Sequence, residues 1–341
     1  MSRTFRRIVL ASRPSGWVVP ENFRLETLPL AAPGPNEVLV RNHYLSLDPY
    51  MRGRMNDAKS YATPQELDAT MIGGAVGEVV ESQHPAFPVG CHVRGMLGWC
   101  DFGVVNGKAL ERIDTRSIPM SAYLGVVGMP GVTAWYGYHR ILAPKAGETL
   151  VVSAASGAVG SVVGQLAKLG GLRVIGIAGG SAKCRYVTDE LGFDACVDYR
   201  EAKDVGQLAK ALRAAAPKGV DANFENVGGD VLNAVMGLLN PFARVAVCGL
   251  ISDYNNEADT IPRSAIRNPG IFLVARIKMQ GFIVADHLEL WPQGLTELAA
   301  LLGAGKLKYR ETISEGLAST PEAFVGLLRG RNFGKQLVKL V

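Results

Sequence analysis

Before Leu124, apolar positions fall in short runs broken by glycine and proline. Glu37-Val-Leu-Val-Arg, Ala75-Val-Gly-Glu-Val-Val and Cys91-His-Val-Arg-Gly-Met read as strands, with Pro33-Gly-Pro as a turn. This pattern predicts a small β-rich unit, a partly open barrel. After Leu124 the rhythm changes. Gly131-Val-Thr-Ala-Trp-Tyr-Gly-Tyr reads as helix and Pro144-Lys-Ala-Gly-Glu as a turn. Strands are predicted at Thr149–Ser153, Arg173–Ala178, Ala195–Asp198, Ala222–Glu225, Val245–Gly249 and Lys278–Ile283, and helices include Val159–Leu169 and Leu208–Ala216. Such alternation marks a doubly wound α/β domain with a parallel sheet. The chain is expected to leave this domain near Leu307. Its last strand, Lys335-Gln-Leu-Val-Lys-Leu-Val, is expected to pair back into the N-terminal unit.

At 341 residues the chain is long for one hydrophobic core, which supports two domains. Its forty glycines cluster in short motifs, so they mark tight turns and close backbone approach rather than disorder. The net charge of +5 suits an anionic ligand, but the charges are interspersed and no basic helix carries interleaved aromatics, which argues against nucleic acid. Cys91, Cys100, Cys184, Cys196 and Cys248 are odd in number and form no CxxC pair, so a reduced, cytoplasmic chain is expected. After the basic N-terminus, Ile8-Val-Leu-Ala is too short for a signal peptide. No uncharged apolar run reaches about 18 residues, and no membrane span is predicted.

The strand Thr149-Leu-Val-Val-Ser is followed by Ala154-Ala-Ser156-Gly157-Ala158-Val159-Gly160. This is AxGxxG, with Ala155 in the slot usually held by the first glycine. Gly157 lets the backbone approach a pyrophosphate, and Gly160 lets the following helix pack closely on the sheet. The helix start, with its free N–H groups and dipole, favours an anion. Small residues also occur wherever a helix packs on a strand. Here the motif ends a strand and opens a helix, the context that dinucleotide binding requires.

The next strand ends where NAD enzymes carry Asp or Glu for the adenosine ribose. The chain instead reads Ala178-Gly179-Gly180-Ser181-Ala182-Lys183. No carboxylate repels a 2′-phosphate, Ser181 can donate a hydrogen bond and Lys183 supplies positive charge, which favours NADPH over NADH. Asn226-Val-Gly-Gly229 and Cys248-Gly249-Leu250-Ile251-Ser252 end two later strands at the edge where ligands sit.

A catalytic zinc needs about three His, Cys or acidic ligands. His43, His84, His92, His139 and His287 make no paired-ligand spacing, and Cys91-His92 with Cys100 lacks a second half. No G-x-S-x-G elbow anchors an acyl-transfer triad. A nicotinamide enzyme without a metal remains, its electrophile a hydroxyl or backbone N–H. Tyr50, in Leu45-Ser-Leu-Asp-Pro-Tyr-Met-Arg, and Tyr254 come from different predicted domains and are expected to meet in the cleft between them. Either can equally be an amphipathic rim residue.

The chain resembles the zinc-independent medium-chain dehydrogenase/reductases, in the branch of prostaglandin reductases, leukotriene dehydrogenases and bacterial curcumin-reductase-like proteins. The matching segments span nearly the whole sequence. They include Leu45-Ser-Leu-Asp-Pro-Tyr-Met-Arg-Gly-Arg-Met, Gly128-Met-Pro-Gly-Val-Thr-Ala, Ala154-Ala-Ser-Gly-Ala-Val-Gly, Asn226-Val-Gly-Gly, Gly281-Phe-Ile-Val and Asn332-Phe-Gly-Lys. Zinc-dependent relatives carry Gly-His-Glu where this chain has Gly73-Gly74-Ala75, and a four-cysteine lobe missing here.

The resemblance implies a GroES-like β-barrel domain at residues 1–125 and 308–341 and a Rossmann domain, a doubly wound parallel sheet, at 126–307. It implies that the Gly157–Gly160 turn holds the pyrophosphate, to which Ser156 adds a donor, that Lys183 and Tyr199 bind the 2′-phosphate, beside the room left by Gly180 and the hydroxyl of Ser181, and that Asn226, the Cys248–Tyr254 segment, Phe282, Ile283, Val284 and Asn332 line the adenine and nicotinamide ends. Thr133 is placed near the nicotinamide. Relatives reduce the C=C bond of α,β-unsaturated ketones and aldehydes, with the residue matching Tyr254 and the ribose 2′-hydroxyl as donors to the enolate; Tyr50 then shapes the pocket. Family members are commonly homodimers. Ser156 stands where many relatives have Ala, and Asp253 puts an unexplained acid beside Tyr254. Two other functions fit the same fold and cofactor: a quinone reductase of the zeta-crystallin kind, and an NADPH-binding protein without turnover.

Overall fold

The computed structural model describes residues 3–257 and 260–341. The chain divides into two compact units, Met1–Gly125 with Glu311–Val341, and Val126–Arg310.

The first unit is built on a sheet in the order Glu311–Glu315, Lys335–Lys339, Glu37–Ser46, Ala75–Ser82, His92–Gly95, Leu110–Arg112; Phe102–Asn106 pairs with Glu37–Ser46 off this path. Thr4–Leu10 and Phe23–Pro29 form a separate antiparallel pair. Alternation along Glu37–Ser46 sends its side chains into two cores. Val38 and Val40 pack with Val79, Phe87 and Val93, while Leu45 packs with Leu47, Met51, Trp99, Phe324 and Val338. Trp99 is fully buried, its ring 5.3 Å from Phe23 and 5.5 Å from Phe324; such pairs add about 0.5–1.5 kcal/mol each beyond burial. The C-terminal strand belongs to this unit, with Val338 opposite Leu45 in antiparallel register and Ile313 beside Leu337 in parallel.

In the second unit six parallel strands lie in the order Ala195–Asp198, Arg173–Ala178, Thr149–Ser153, Val220–Glu225, Leu239–Val247, Lys278–Gly281. Numbered along the unit this is 3-2-1-4-5-6, the doubly wound order. Leu150, Val151, Val152, Ile175, Val220 and Val245 are fully buried, as expected of strands covered on both faces. The switch point falls between Thr149–Ser153 and Val220–Glu225, and ligands of such sheets sit outside the strand ends there.

Three elements start earlier than the sequence pattern predicts, the strand expected from Ala222 beginning at Val220. The helix expected at Leu208–Ala216 begins at Val205, because Asp204 caps it by accepting the Gln207 N–H at 2.8 Å. The strand expected from Val245 starts at Leu239 and passes through Pro241. Proline is tolerated because the pairing register shifts between Val220 and Ala222, leaving a bulge, and Phe242 adopts φ +65°.

Candidate functional site

At the carboxyl end of Thr149–Ser153 the chain turns through Ala154, which takes φ +49°. The Gly157 N–H donates to the Ala154 carbonyl at 2.9 Å, and the helix Gly160–Leu169 follows. A Cβ at Gly160 would collide with the Ala154 carbonyl and stand 3.1 Å from the Ala155 Cα. Gly160 is therefore required by helix–turn packing. At Gly157 a Cβ would meet only the Ala154 oxygen, at 3.1 Å. Its outer side is open to a ligand, as a pyrophosphate cradle demands. Ser156 is buried, while Gly157, Ala158 and Val159 are half-buried.

Across the switch point the strand Val220–Glu225 ends in a buried carboxylate. Glu225 accepts the Ser153 hydroxyl (2.8 Å) and the N–H groups of Val227 (2.7 Å) and Gly228 (2.8 Å). Burial raises its pKa despite these donors. Asn226 is fixed to the neighbouring strand: its N–H donates to Ser153 Oγ at 2.7 Å and its Nδ2 to the Ser153 carbonyl at 2.8 Å. The Asn226 and Val227 carbonyls in turn accept the N–H groups of Ile251 (3.3 Å) and Ser252 (2.9 Å). This ties the Cys248–Ser252 segment to the same edge. Burial and the Glu225 charge push the Cys248 thiol up to about 12, so it stays protonated.

Tyr254 closes this cluster. A Cβ built on Gly249 would lie 3.0 Å from the Tyr254 hydroxyl and 3.4 Å from the Asn226 carbonyl. Asp253, unexplained in the sequence, accepts the N–H groups of Arg263 (2.8 Å) and Ser264 (3.1 Å) and the Asn256 side chain (3.0 Å). Ser264 Oγ then accepts the Gly229 N–H at 3.0 Å.

The 2′-phosphate candidates gather after Arg173–Ala178. Gly180 takes φ +97° and donates its N–H to Asp198 at 2.9 Å. Ser181 and Tyr199 are exposed and Lys183 is half-buried. A Cβ on Gly179 would lie 2.8 Å from the Tyr199 ring and 3.0 Å from Arg200 Nε, so the two side chains cover the place of the missing ribose carboxylate. Burial, and then the Arg200 charge, lower the Lys183 pKa. Arg200 and Asp198 escaped the sequence reading; the signal available was a polar Asp198-Tyr-Arg200 triplet at the end of an adjacent parallel strand.

The remaining candidates belong to other elements. Thr133 is buried and donates to the Met129 carbonyl at 2.8 Å, within its own helix Met129–Tyr136. Phe282 packs against Tyr136 and Phe224 (centroids 5.5 and 6.2 Å), Ile283 leads into the turn, and the Val284 carbonyl accepts from Trp291. Tyr50 and Asn332 belong to the first unit. Tyr50 opens the short helix Tyr50–Arg54. That helix follows Asp48, which accepts from Ser46 and from the buried Lys335. Burial, and secondarily Asp48, raise the Tyr50 pKa strongly. Asn332 donates to the Gly334 carbonyl at 2.7 Å. Among the described residues no group of three or more His, Cys, Asp or Glu side chains is placed to hold a metal ion.

The chain is similar to known proteins over nearly its whole length. Residues 6–113 match the family model described as the N-terminal domain of oxidoreductase, and residues 158–300 match zinc-binding dehydrogenase. The NADPH-dependent curcumin reductase of Escherichia coli (strain K12) is 48% identical over 98% of this chain and 96% of its own length. The chain belongs to the zinc-independent medium-chain dehydrogenase/reductases, in the prostaglandin reductase and curcumin reductase branch. The 2-alkenal reductase (NADP(+)-dependent) of Nicotiana tabacum is 40% identical, over 98% of this chain and 96% of that protein. The crystal structure of CurA from Vibrio vulnificus in complex with NADPH has a TM-score of 0.92 and 47% identity, over 98% of this chain and 99% of that one.

Proposed function

We propose that this chain is an NADPH-dependent reductase of the C=C bond of α,β-unsaturated ketones and aldehydes. The observation that carries the cofactor is the open cradle at Gly157 beside a corner that holds Gly179, Gly180, Lys183 and Tyr199, where the segment Ala178–Lys183 contains no Asp or Glu. Close relatives named for curcumin and 2-alkenals support the substrate class.

NADPH is assigned to the unit Val126–Arg310 and, when bound, supplies the hydride. Gly157 would admit the pyrophosphate, Gly160 keeps the helix packed on the turn, and Lys183 and Tyr199 would hold the 2′-phosphate. Asn226 and the Cys248–Tyr254 segment form one hydrogen-bonded edge against which the nucleotide rests. Tyr254 donates its hydroxyl proton in a hydrogen bond to the substrate oxygen, where negative charge collects once the β-carbon is reduced. A neutral phenol donates a hydrogen bond and is not a base. Tyr50 shapes the substrate pocket and, with its ionisation suppressed by burial, stays neutral.

The test is to mix protein with NADPH and a panel of enones, enals and quinones and to follow loss of the reduced-nicotinamide absorbance. Enone and enal turnover is expected. A profile confined to quinones, or tight NADPH binding without oxidation, overturns the reading.

No helix among the described residues is long and apolar enough to cross a membrane. All five cysteines are free thiols, which supports a cytoplasmic setting. We also propose a homodimer. The strand Lys278–Gly281 ends the parallel sheet, and beside it Phe242, Leu273 and Val274 are 65, 81 and 70% exposed. Light scattering on a gel-filtered sample should give twice the chain mass.

A further inference from the structure

We propose that Arg200 is a second cationic ligand of the cofactor's 2′-phosphate, and that it sets the preference for NADPH together with Lys183. This rests on the NADPH reading above and adds a residue that the family resemblance does not assign.

The argument starts from Gly179 and Gly180. Position 179 lacks a side chain, and the space a Cβ would take is bordered by Tyr199 Oη at 2.9 Å and Arg200 Nε at 3.0 Å. A Cβ on Gly180 would stand 3.6 Å from Arg200 Nη1. The guanidinium therefore spans both glycines, next to the phenol already placed at the phosphate. Asp198 holds this geometry from below, as its Oδ1 accepts both the Gly180 N–H (2.9 Å) and the Arg200 N–H (3.0 Å). That fixes the backbone of both residues while leaving the Arg200 side chain outside the bond.

The charge pattern points to an anion. Among the described residues the Arg200 guanidinium makes no ion pair or hydrogen bond, although Arg6, Arg7, Arg24, Arg41, Arg94 and Arg116 all pair with carboxylates. It stands close enough to Lys183 to disfavour that residue's charge. Two neighbouring cations repel each other, and a bound dianion between them removes the repulsion. A phosphate ester with its second pKa near 6 carries almost two negative charges at neutral pH. Arginine suits it because its fork donates two parallel hydrogen bonds.

The decisive probes are 2′,5′-ADP and 5′-AMP, which share adenine and ribose and differ in the 2′-phosphate. Calorimetry on the full chain needs no enone turnover, so it separates this inference from the reductase reading. Arg200→Ala is expected to weaken 2′,5′-ADP and NADPH about tenfold, with 5′-AMP and NADH changed less than about twofold. Arg200→Lys should recover part of the loss, and Lys183→Ala, measured in parallel, should lose more. Unchanged 2′,5′-ADP affinity in Arg200→Ala overturns the proposal. So does an equal loss for 5′-AMP, which would make Arg200 a platform for adenine. If Arg200→Ala discriminates and Lys183→Ala does not, the inference stands and the role given to Lys183 fails.

Discussion

The hydroxyl of Tyr254 lies back over Gly249, where a Cβ would come within 3.0 Å of it. The glycine at the end of the strand therefore leaves room for the phenol beside Asn226. If that phenol is the donor to the substrate oxygen, Tyr254→Phe should lower kcat by about 100- to 1,000-fold, the range for losing one oxyanion donor. NADPH affinity should hardly change. Gly249→Ala should mimic the defect in part, because the new methyl displaces the hydroxyl. Stopped-flow turnover with a simple enone checks both, and an unchanged rate in Tyr254→Phe leaves the ribose hydroxyl as sole donor.

Asp253 governs the same turn from outside. It accepts two backbone N–H groups and the Asn256 side chain, and through Ser264 the loop is bonded to Gly229. Asp253→Ala leaves those donors to water and frees the turn that carries Tyr254. We expect kcat to drop about three- to tenfold with NADPH affinity retained, and faster proteolytic nicking between Tyr254 and Ser264. In a Tyr254→Phe background the kcat effect should vanish. A full loss in that background would show that Asp253 acts elsewhere.

Much of the fold is legible because periodicity survives burial. The parallel strands at Thr149, Arg173 and Ala195 start and stop where the apolar runs do. The AxGxxG turn is legible because glycine spacing has a single mechanical meaning between a strand and a helix. The rest escapes because long-range contacts decide it. Asp253 is an ordinary loop acid until Arg263 and Ser264 fold back on it. Arg200 reads as a solvated cation until the adjacent strand brings it over Gly179. The strand through Pro241 contradicts local propensity and exists because it bulges there, running from Leu239 to Arg244 while its partner advances only from Val220 to Ala222.

Gly164 in the helix and Gly157 in the turn before it should separate stability from binding. A Cβ at Gly164 would enter the Phe193 ring, so Gly164→Ala should cost about 1–3 kcal/mol and lower Tm, with the ratio of NADPH to NADH affinity preserved. At Gly157 the protein itself offers a methyl only the Ala154 oxygen at 3.1 Å. Gly157→Ala should therefore shift stability by less than about 1 kcal/mol. It should still weaken NADPH and NADH alike, because the methyl stands where the pyrophosphate approaches. A Gly157→Ala variant with normal affinity for both would remove that residue from the cradle.

Lys183 gives a pH dependence whose sign is fixed. Its pKa in the folded chain lies below the ordinary 10.5, through burial and then Arg200. The cation is therefore fully present below that lowered value and is lost as pH rises through it. A bound 2′-phosphate favours the charged form and raises the pKa again, so NADPH affinity should fall between the free and the bound value, by up to about tenfold per pH unit. NADH, lacking the phosphate, should show no such limb. Stability runs the other way, because the folded chain holds a buried charge at low pH that the unfolded chain solvates; it should rise slightly as Lys183 deprotonates. Lys183→Arg keeps its charge throughout and should remove the alkaline limb while retaining the NADPH preference. Titrating NADPH and NADH affinity against pH in the wild-type chain and in Lys183→Arg checks this, and an alkaline limb shared by both cofactors would assign it to another group.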